Sequence, residues 1–344
     1  MFYLLSLITG ILECGWIAFG VMRFMPLWQI LCYPLAYHIG NLFPKPFSLS
    51  GRCLRVMCVL SVLTGSLTFA KQLSESDAFV LTCISLFLLS AIIQSVRSKL
   101  KSDGNRLFKR IFRIGGFALA PLAAIFPSAI LTIASVIALF AIKDHQSSFS
   151  IGKLTWQNGF SAVMILHQLH YFFYAHTILA TLCILLSNDF FFGGIVCAAF
   201  LFCGTWVTYM SVEPILSKLT SKILPVFYLG HISISFLLLI MSNVTIKPIF
   251  ILLWLITGFG GGVVYTISAE AKSVGYFNKD SMIISENISH TLGLIFAVII
   301  AAVFGDKSPQ LMLIFGSSSA MFAVITMFFV TRKENHHEII HNKG

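Results

Sequence analysis

The chain has 344 residues, of which 57% are hydrophobic and only 10% are charged, and 33 are phenylalanine. A soluble domain usually carries about a quarter charged residues, so this sequence lacks the charges needed for a water-exposed surface. The long apolar runs also exclude a disordered or fibrous protein. Because a helix that crosses a bilayer needs about 20 apolar residues, the composition predicts an all-α, polytopic membrane protein with about 12 transmembrane helices.

Apolar runs separated by charged or turn residues give the predicted helices in chain order. The first run lacks the basic segment and cleavage site of a signal peptide, so we interpret it as a spanning helix. The predicted spans are 2–22, 24–43, 53–71, 78–96, 112–126, 128–142, 162–186, 190–211, 224–242, 247–268, 282–304 and 309–331. The stretch 112–142 is divided because about 30 residues exceed one span and because Pro121 and Pro127 interrupt it.

The basic residues test this count, since Lys and Arg stay preferentially on the cytoplasmic side of a bilayer. With a cytoplasmic N-terminus, 19 of the 23 lysines and arginines lie inside, and the other four are Arg23, Lys71, Lys247 and Lys307. If 112–142 were one helix, every later loop would change sides and this bias would largely vanish. The sequence therefore predicts a multi-pass protein of a bacterial-type inner membrane with both termini cytoplasmic. Its net charge of +10 indicates contact with anionic lipids rather than nucleic acid.

A long polar loop after the sixth span divides the chain into two groups of six helices. The predicted parts are an N-terminal six-helix bundle at 1–142, a central cytoplasmic loop at 143–160, a C-terminal six-helix bundle at 161–331 and a cytoplasmic tail at 332–344. Two bundles around a central path are typical of secondary transporters. The oligomeric state stays open, and a monomer is compatible with this layout.

Small and basic residues occur at three positions of this layout. Gly51, Arg52 and Arg55 follow the second helix. The fifth helix contains Gly116, Ala120, Pro121 and Ala124, and the tenth contains Gly258, Gly260, Gly261 and Gly262. Small residues let helix backbones approach closely in lipid. Their alternative interpretation is ordinary helix packing without any gating role.

With these residues and the six-plus-six layout, the chain resembles the major facilitator superfamily over its whole length. The loop at Gly51 is similar to the family's gate loop, although the usual Asp is absent. The fifth helix resembles the Gly-x-x-x-Gly-Pro-x-x-Gly pattern of exporters, with alanine replacing two glycines. The resemblance implies gating or packing roles for Gly51, Arg52, Arg55, Gly116, Pro121, Gly258 and Gly262.

Titratable residues at membrane depth are costly and usually mark a pathway or a proton relay. They are Glu13, His38, His167, His170, His176, Glu286 and His290. His167 and His170 share one helix face with Tyr171 and Tyr174, and Glu286 and His290, four residues apart, share another. We interpret His176 and His231 as structural or interfacial residues.

The resemblance implies that Glu13 lies near His167 and His170, and that His38 lies near Glu286 and His290. A carboxylate beside an imidazole in a low dielectric can exchange a proton near neutral pH. We therefore predict that substrate binding or proton coupling involves Glu13, His38, His167, His170, Tyr171, Tyr174, Glu286 and His290. The alternative is that these residues only form hydrogen bonds between helices.

The predicted function is secondary active transport of a small organic solute by alternating access. The similarity in the fifth helix favours proton-coupled export of a drug, a metabolite or a metallophore. No catalytic residue, cofactor or dedicated metal site is predicted, and the eight cysteines are interpreted as small core residues. The alternatives are uptake of a siderophore or metal chelate, transition-metal transport, an intramembrane enzyme, and a membrane scaffold or sensor.

Overall fold

The computed structural model describes residues 1–42, 47–67, 74–99, 106–142, 150–151, 158–216, 223–259 and 279–341. Nearly all of them are helical. The helices are α1 Phe2–Met22, α2 Leu27–Leu42, α3 Gly51–Leu67, α4 Glu75–Lys99, α5 Arg106–Leu119, α6 Leu122–Ile125, α7 Pro127–Ile142, α8 Asn158–Leu216, α9 Ile223–Met241, α10 Lys247–Phe259, α11 Lys279–Phe304 and α12 Ser308–His341. Two short strands, β1 Phe47–Ser48 and β2 Ser150–Ile151, pair antiparallel.

Most differences from the predicted spans concern helix ends. α5 begins at Arg106 rather than at residue 112, because basic residues can end a membrane span without ending a helix. It stops at Leu119, and Pro121, which lacks a backbone N–H, then caps the short helix α6. The predicted interruption of 112–142 is therefore confirmed. α12 continues to His341, through residues that the sequence assigns to the tail.

α8 contains two predicted spans, and the chain turns back within it. In a straight helix, eight residues advance about 12 Å along the axis. A Cβ placed on Gly194 would nevertheless contact the backbone of Leu186 and Ser187. The two halves of α8 therefore lie side by side, as the predicted spans 162–186 and 190–211 require.

Six segments of the described residues are long and apolar enough to cross a membrane. They are Phe2–Met22, Glu75–Arg97, Ala162–Ser187, Phe192–Ser211, Leu224–Met241 and Ile288–Arg332. The last is 45 residues long and holds parts of α11 and α12. Pro127–Ile142 and Lys247–Phe259 are shorter apolar helices. The number of twelve crossings stays a prediction.

The chain forms two compact units. Unit 1 consists of Met1–Lys153, His176–Cys203 and Ala297–Gly305, and unit 2 consists of Leu154–Ala175, Gly204–Phe296 and Asp306–Gly344. The predicted boundaries at 1–142, 143–160 and 161–331 stay predictions.

Unit 1 is organised around α1, which is buried along nearly its whole length. α1 packs on α5 and runs parallel to it, because Gly10 faces Gly116 while Gly15 faces Ala123 beyond the end of α5. A Cβ on Gly10 or on Gly116 would contact the backbone of the opposite helix. The two backbones touch at this crossing, which small residues permit.

α3 and α7 of unit 1 run antiparallel. Gly65 lies against Leu131, and Ser135 donates a hydrogen bond of 3.4 Å to the hydroxyl of Ser61. These directions, together with the parallel pair α1 and α5, agree with the predicted order of spans.

In unit 2, α9 and α12 run antiparallel and are joined by a reciprocal pair of serines. Ser235 donates to the carbonyl of Ser317 at 3.0 Å, and Ser317 donates to the carbonyl of Ser235 at 2.8 Å. A buried cluster of Val163, Met164, Phe227 and Met327 packs at the same interface. The first half of α8 therefore lies against both α9 and α12.

The predicted gating residues are distributed over several helices. Arg52 and Arg55 are exposed on the first turns of α3, next to the half-buried Gly51. On α10, a Cβ at Gly258 would contact Thr205 and Thr208 of α8, so Gly258, like Gly116, lies at a close helix contact. Gly262 lies outside the described residues, as does the predicted continuation of α10 to residue 268.

Candidate functional site

The first candidate site is built around Glu13, which is 4% exposed in the middle of α1. Arg113 of α5 donates a hydrogen bond from Nη2 to Glu13 Oε2 at 2.6 Å. Glu13 lies three residues after Gly10, and Arg113 lies three residues before Gly116. Because α1 and α5 run parallel, these two offsets point in opposite directions along the helices, and the long Arg113 side chain reaches across the crossing to the carboxylate. A hydrogen bond between charged groups is roughly twice as strong as a neutral one.

Two buried histidines face the other oxygen of the same carboxylate. The Nε2 atoms of His38 in α2 and His176 in α8 each lie 3.9 Å from Glu13 Oε1. Their rings meet edge to face with centroids 5.6 Å apart. At 3.9 Å these are electrostatic contacts rather than direct hydrogen bonds. Glu13, His38, Arg113 and His176 are called the Glu13 cluster below, and all four belong to unit 1.

The Glu13 cluster contains groups that bind protons, namely one carboxylate and two imidazoles. A proton on Glu13 would neutralise the carboxylate and weaken its bond with Arg113, whereas a proton on either imidazole would add a second cation beside it. Each change alters the charge inside an apolar unit, where electrostatic interactions are stronger than in water. The cluster therefore has distinct protonation states that differ in how α1 is held by α2, α5 and α8.

The second candidate site consists of three buried histidines of unit 2. His167 and His170 lie in α8 and His231 lies in α9, with exposures of 3%, 3% and 0%. Their ring centroids are separated by 5.1 to 5.9 Å. One ring nitrogen from each lies within 4.8 Å of the other two. These residues are called the three-histidine cluster below.

Hydrogen bonds define the tautomers in this cluster. His231 Nδ1 lies 2.8 Å from the carbonyl oxygen of Phe227, which can only accept, so Nδ1 carries the proton. The Nε2 atom of a neutral His231 then accepts from His167 Nδ1 at 3.0 Å. His167 is left with an unprotonated Nε2. The cluster thus presents imidazole lone pairs in a buried space.

The other predicted residues lie near the three-histidine cluster along α8 or on α11. Tyr174 is buried, with its ring 6.3 Å from that of His170, and Tyr171 is half-buried beside Tyr174. His290 stacks on Phe172 with ring centroids 3.7 Å apart. Glu286 belongs to α11, but its side chain lies outside the described part of the structure.

Within unit 1, the structure gives Glu13 and His38 partners that the family resemblance does not name. Glu13 is paired with Arg113 and lies beside His38 and His176. In the sequence, Arg113 counts only among the 19 basic residues predicted to lie inside, and His176 and His231 are interpreted as structural or interfacial residues. The spacing of Arg113 from Gly116 was the one sequence signal for its role, because residues three apart share a helix face.

A separate cleft of about 310 Å³ lies in unit 1 where α1 turns into α2. Its lining includes Phe19, Arg23, Gln29 and Glu75. None of the predicted substrate or proton-coupling residues lines it.

No protein-family model matches this sequence, and no curated protein matches it in sequence. Solved structures do match it over almost the whole chain. A bacterial metal transporter superimposes with a TM-score of 0.63 at 14% identity and covers 95% of this chain and 96% of its own. A bacterial homologue of the iron transporter ferroportin, in an inward-facing state, gives 0.64 at 13% identity with coverage of 95% and 96%. The nucleoside transporter NupG gives 0.63 at 13% identity with coverage of 95% and 97%.

These matches define the class of the fold. The chain is a multi-pass helical membrane protein with the fold of these solved transporters, and the predicted all-α, polytopic fold class is confirmed. At this level of identity the likeness extends to the fold alone, and the three solved proteins differ in what they carry.

Proposed function

We propose that this protein is a secondary transporter that works by alternating access, and that the Glu13 cluster couples transport to protons. The observation that carries the proposal is the buried carboxylate of Glu13, bound by Arg113 at 2.6 Å and flanked by two buried imidazoles. Ionisable groups at membrane depth are expensive and usually functional. The transporter fold supports transport rather than enzymatic catalysis.

The position of the Glu13–Arg113 pair between two helices supports proton coupling. Glu13 belongs to α1 and Arg113 to α5, and their bond adds an ionic contact to a crossing of small residues. Protonation of Glu13 would release the guanidinium and loosen this contact. The released cation would also be available to an anionic group of a solute. A proton on Glu13 and an anionic group of the solute on Arg113 would thus each replace the bond between these two side chains.

The proposed substrate is a small organic solute, and the pattern in the fifth predicted helix favours export. A second candidate is transport of a transition-metal ion, which the three-histidine cluster favours. The similar solved structures are a metal transporter, a homologue of an iron transporter and a nucleoside transporter. That range supports transport of a small solute without selecting one.

The test measures proton movement in proteoliposomes that contain a trapped pH-sensitive dye. Candidate solutes, chosen by the sensitivity of a deletion strain, are added with and without an imposed pH gradient. Wild-type protein should move protons when a substrate is added, and Glu13→Gln should reduce this movement at least tenfold because the glutamine amide cannot bind a transported proton. Glu75→Gln, an exposed carboxylate at the start of α4, is the matched control and should behave as wild type.

Unchanged proton movement by a folded Glu13→Gln protein would contradict coupling at this cluster. Solute flux that persists without any proton movement would contradict proton coupling altogether while leaving transport in place.

A further inference from the structure

The three-histidine cluster has the ligand chemistry of a metal site rather than that of a packing contact. Imidazole nitrogens bind zinc, copper, nickel and iron, whereas magnesium and calcium prefer oxygen ligands. His167 and His170 are three residues apart and point from one face of α8, while His231 approaches from α9. Two helices therefore supply three nitrogen donors to one buried point.

The distances fit a tetrahedral ion with little movement. Zinc-to-nitrogen bonds are about 2.0–2.1 Å long, so two ligand nitrogens on one tetrahedral ion are about 3.3 Å apart. His167 Nδ1 and His231 Nε2 are 3.0 Å apart. A small separation of these two side chains would admit a metal ion, and His167 would then carry its proton on Nε2 instead of Nδ1, so that both rings bind as neutral imidazoles.

A hydrogen bond that would orient His231 on a metal ion is already present. Its Nδ1–H donates to the carbonyl of Phe227 at 2.8 Å, which fixes the ring and leaves Nε2 facing His167. Metal-binding histidines almost always donate their other N–H to a carbonyl or carboxylate in this way.

His170 provides a further, independent observation. This residue is 3% exposed, and within the described residues its Nδ1 makes no hydrogen bond. A buried polar atom without a hydrogen-bond partner is destabilising. Binding of a cation by this imidazole would offset such a cost.

The Glu13 cluster is a poorer candidate for the same ion. Its carboxylate is occupied by the guanidinium of Arg113, and a metal ion there would face a neighbouring cation. The three-histidine cluster instead consists of neutral imidazoles packed among the rings of Phe227 and Tyr174.

We propose that His167, His170 and His231 bind one divalent transition-metal ion of the zinc or cobalt type, with a fourth coordination position open to water or an anionic ligand. The inference concerns binding within unit 2 and does not depend on proton coupling at Glu13. Loss of proton-coupled flux would leave it standing, and absence of metal binding would leave proton coupling standing.

The experiment titrates Co²⁺ into the purified full-length protein in detergent, with His336, His337 and His341 of the tail changed to alanine in every sample. One Co²⁺ per chain should bind and give the visible absorption bands of tetrahedral cobalt. Zn²⁺ should displace it, and excess Mg²⁺ should not. His170→Ala and His231→Ala should each weaken binding at least tenfold, while His145→Ala, which removes an imidazole from the predicted central loop, should bind as the parent does.

A second measurement does not depend on any cluster variant folding. X-ray absorption of the Zn²⁺-loaded parent should show three imidazole ligands and no sulfur ligand. Sulfur ligation, binding that survives both cluster substitutions, loss of binding in His145→Ala, or no stoichiometric Co²⁺ binding by the parent would each overturn the proposal.

Discussion

Glu13 is an acidic residue in an otherwise apolar helix, and its burial requires partners from other parts of the chain. Transfer of an unpaired carboxylate into an apolar environment is so costly that the group must be paired and hydrogen-bonded. Arg113 satisfies this requirement from 100 residues away in sequence. The pair is asymmetric, because Glu13 is 4% exposed whereas Arg113 is 35% exposed. The arginine can therefore leave more easily than the carboxylate.

A double-mutant cycle measures the interaction between Glu13 and Arg113. Arg113→Met should lower the free energy of unfolding by about 2–3 kcal/mol, somewhat less than the 3–5 typical of breaking a fully buried pair, because Arg113 keeps partial contact with solvent. Adding Glu13→Gln should recover part of that loss, since no buried charge then lacks its partner. Thermal melting in detergent measures both, with the exposed Arg332→Met as control. Additive losses in the double variant would contradict a direct pair.

The residues that sequence analysis recovered and missed differ in a physical way. Glu13 is identifiable because a charge inside an apolar run has few structural explanations. Arg113 lies at the edge of a basic segment, where charge already explains orientation in the membrane, so its contact with Glu13 could not be separated from that role. The role of His231 in the three-histidine cluster depends on contact between α8 and α9. Helical periodicity within one segment cannot predict such a contact.

At the scale of helices, α1 and α5 meet through glycine rather than through large side chains. A Cβ on Gly116 would contact the backbone at Leu7 and Gly10, whereas a Cβ on the adjacent Gly115 would lie 3.4 Å from a terminal methyl of Leu7. The first contact is with backbone that cannot move aside, and the second is an ordinary van der Waals distance. The close helix contact therefore requires glycine at position 116 but leaves room for a Cβ at position 115.

This contrast gives a matched pair of substitutions. Gly116→Ala should destabilise the protein by about 1–3 kcal/mol through overpacking, and it should also move Arg113 away from Glu13 and reduce proton-coupled flux. Gly115→Ala should be neutral or stabilising by up to about 1 kcal/mol, because alanine favours a helix over glycine. Melting temperatures in detergent and flux in proteoliposomes measure the two effects. Equal behaviour of both variants would contradict the close crossing of α1 and α5.

Helix boundaries show why the apolar pattern predicts spans better than it predicts helices. α5 continues through the basic residues from Arg106, and α12 continues into the predicted tail, because Lys, Arg and Glu favour helices as much as apolar residues do. Proline has a backbone reason to interrupt a helix, and the break at Pro121 was predictable for that reason. The turn within α8, by contrast, is shown by the contact between Leu186 and Gly194. Hydropathy alone does not predict that contact.

For the whole molecule, the order of the predicted spans determines on which side of the membrane each Lys and Arg lies. α1 runs parallel to α5, and α3 runs antiparallel to α7, as expected for first and fifth spans and for third and sixth spans. With twelve spans and a cytoplasmic N-terminus, the same order would place 19 of the 23 basic residues on one side of the membrane. A single span at 112–142 would retain the parallel pair but reverse every later loop.

Asp306 distinguishes these two topologies, because it is exposed between α11 and α12. With twelve spans and a cytoplasmic N-terminus, Asp306→Cys should react with a membrane-impermeant maleimide added to intact cells, in a background with Cys53 and Cys197 changed to serine. With eleven spans it would be protected until the membrane is permeabilised. Glu75→Cys should be labelled from outside and Arg55→Cys protected under both topologies, since both precede residue 112. Protection of Asp306→Cys, with Glu75→Cys labelled, would therefore reject the division of 112–142 into two crossings and, with it, the equal division of the chain into six and six.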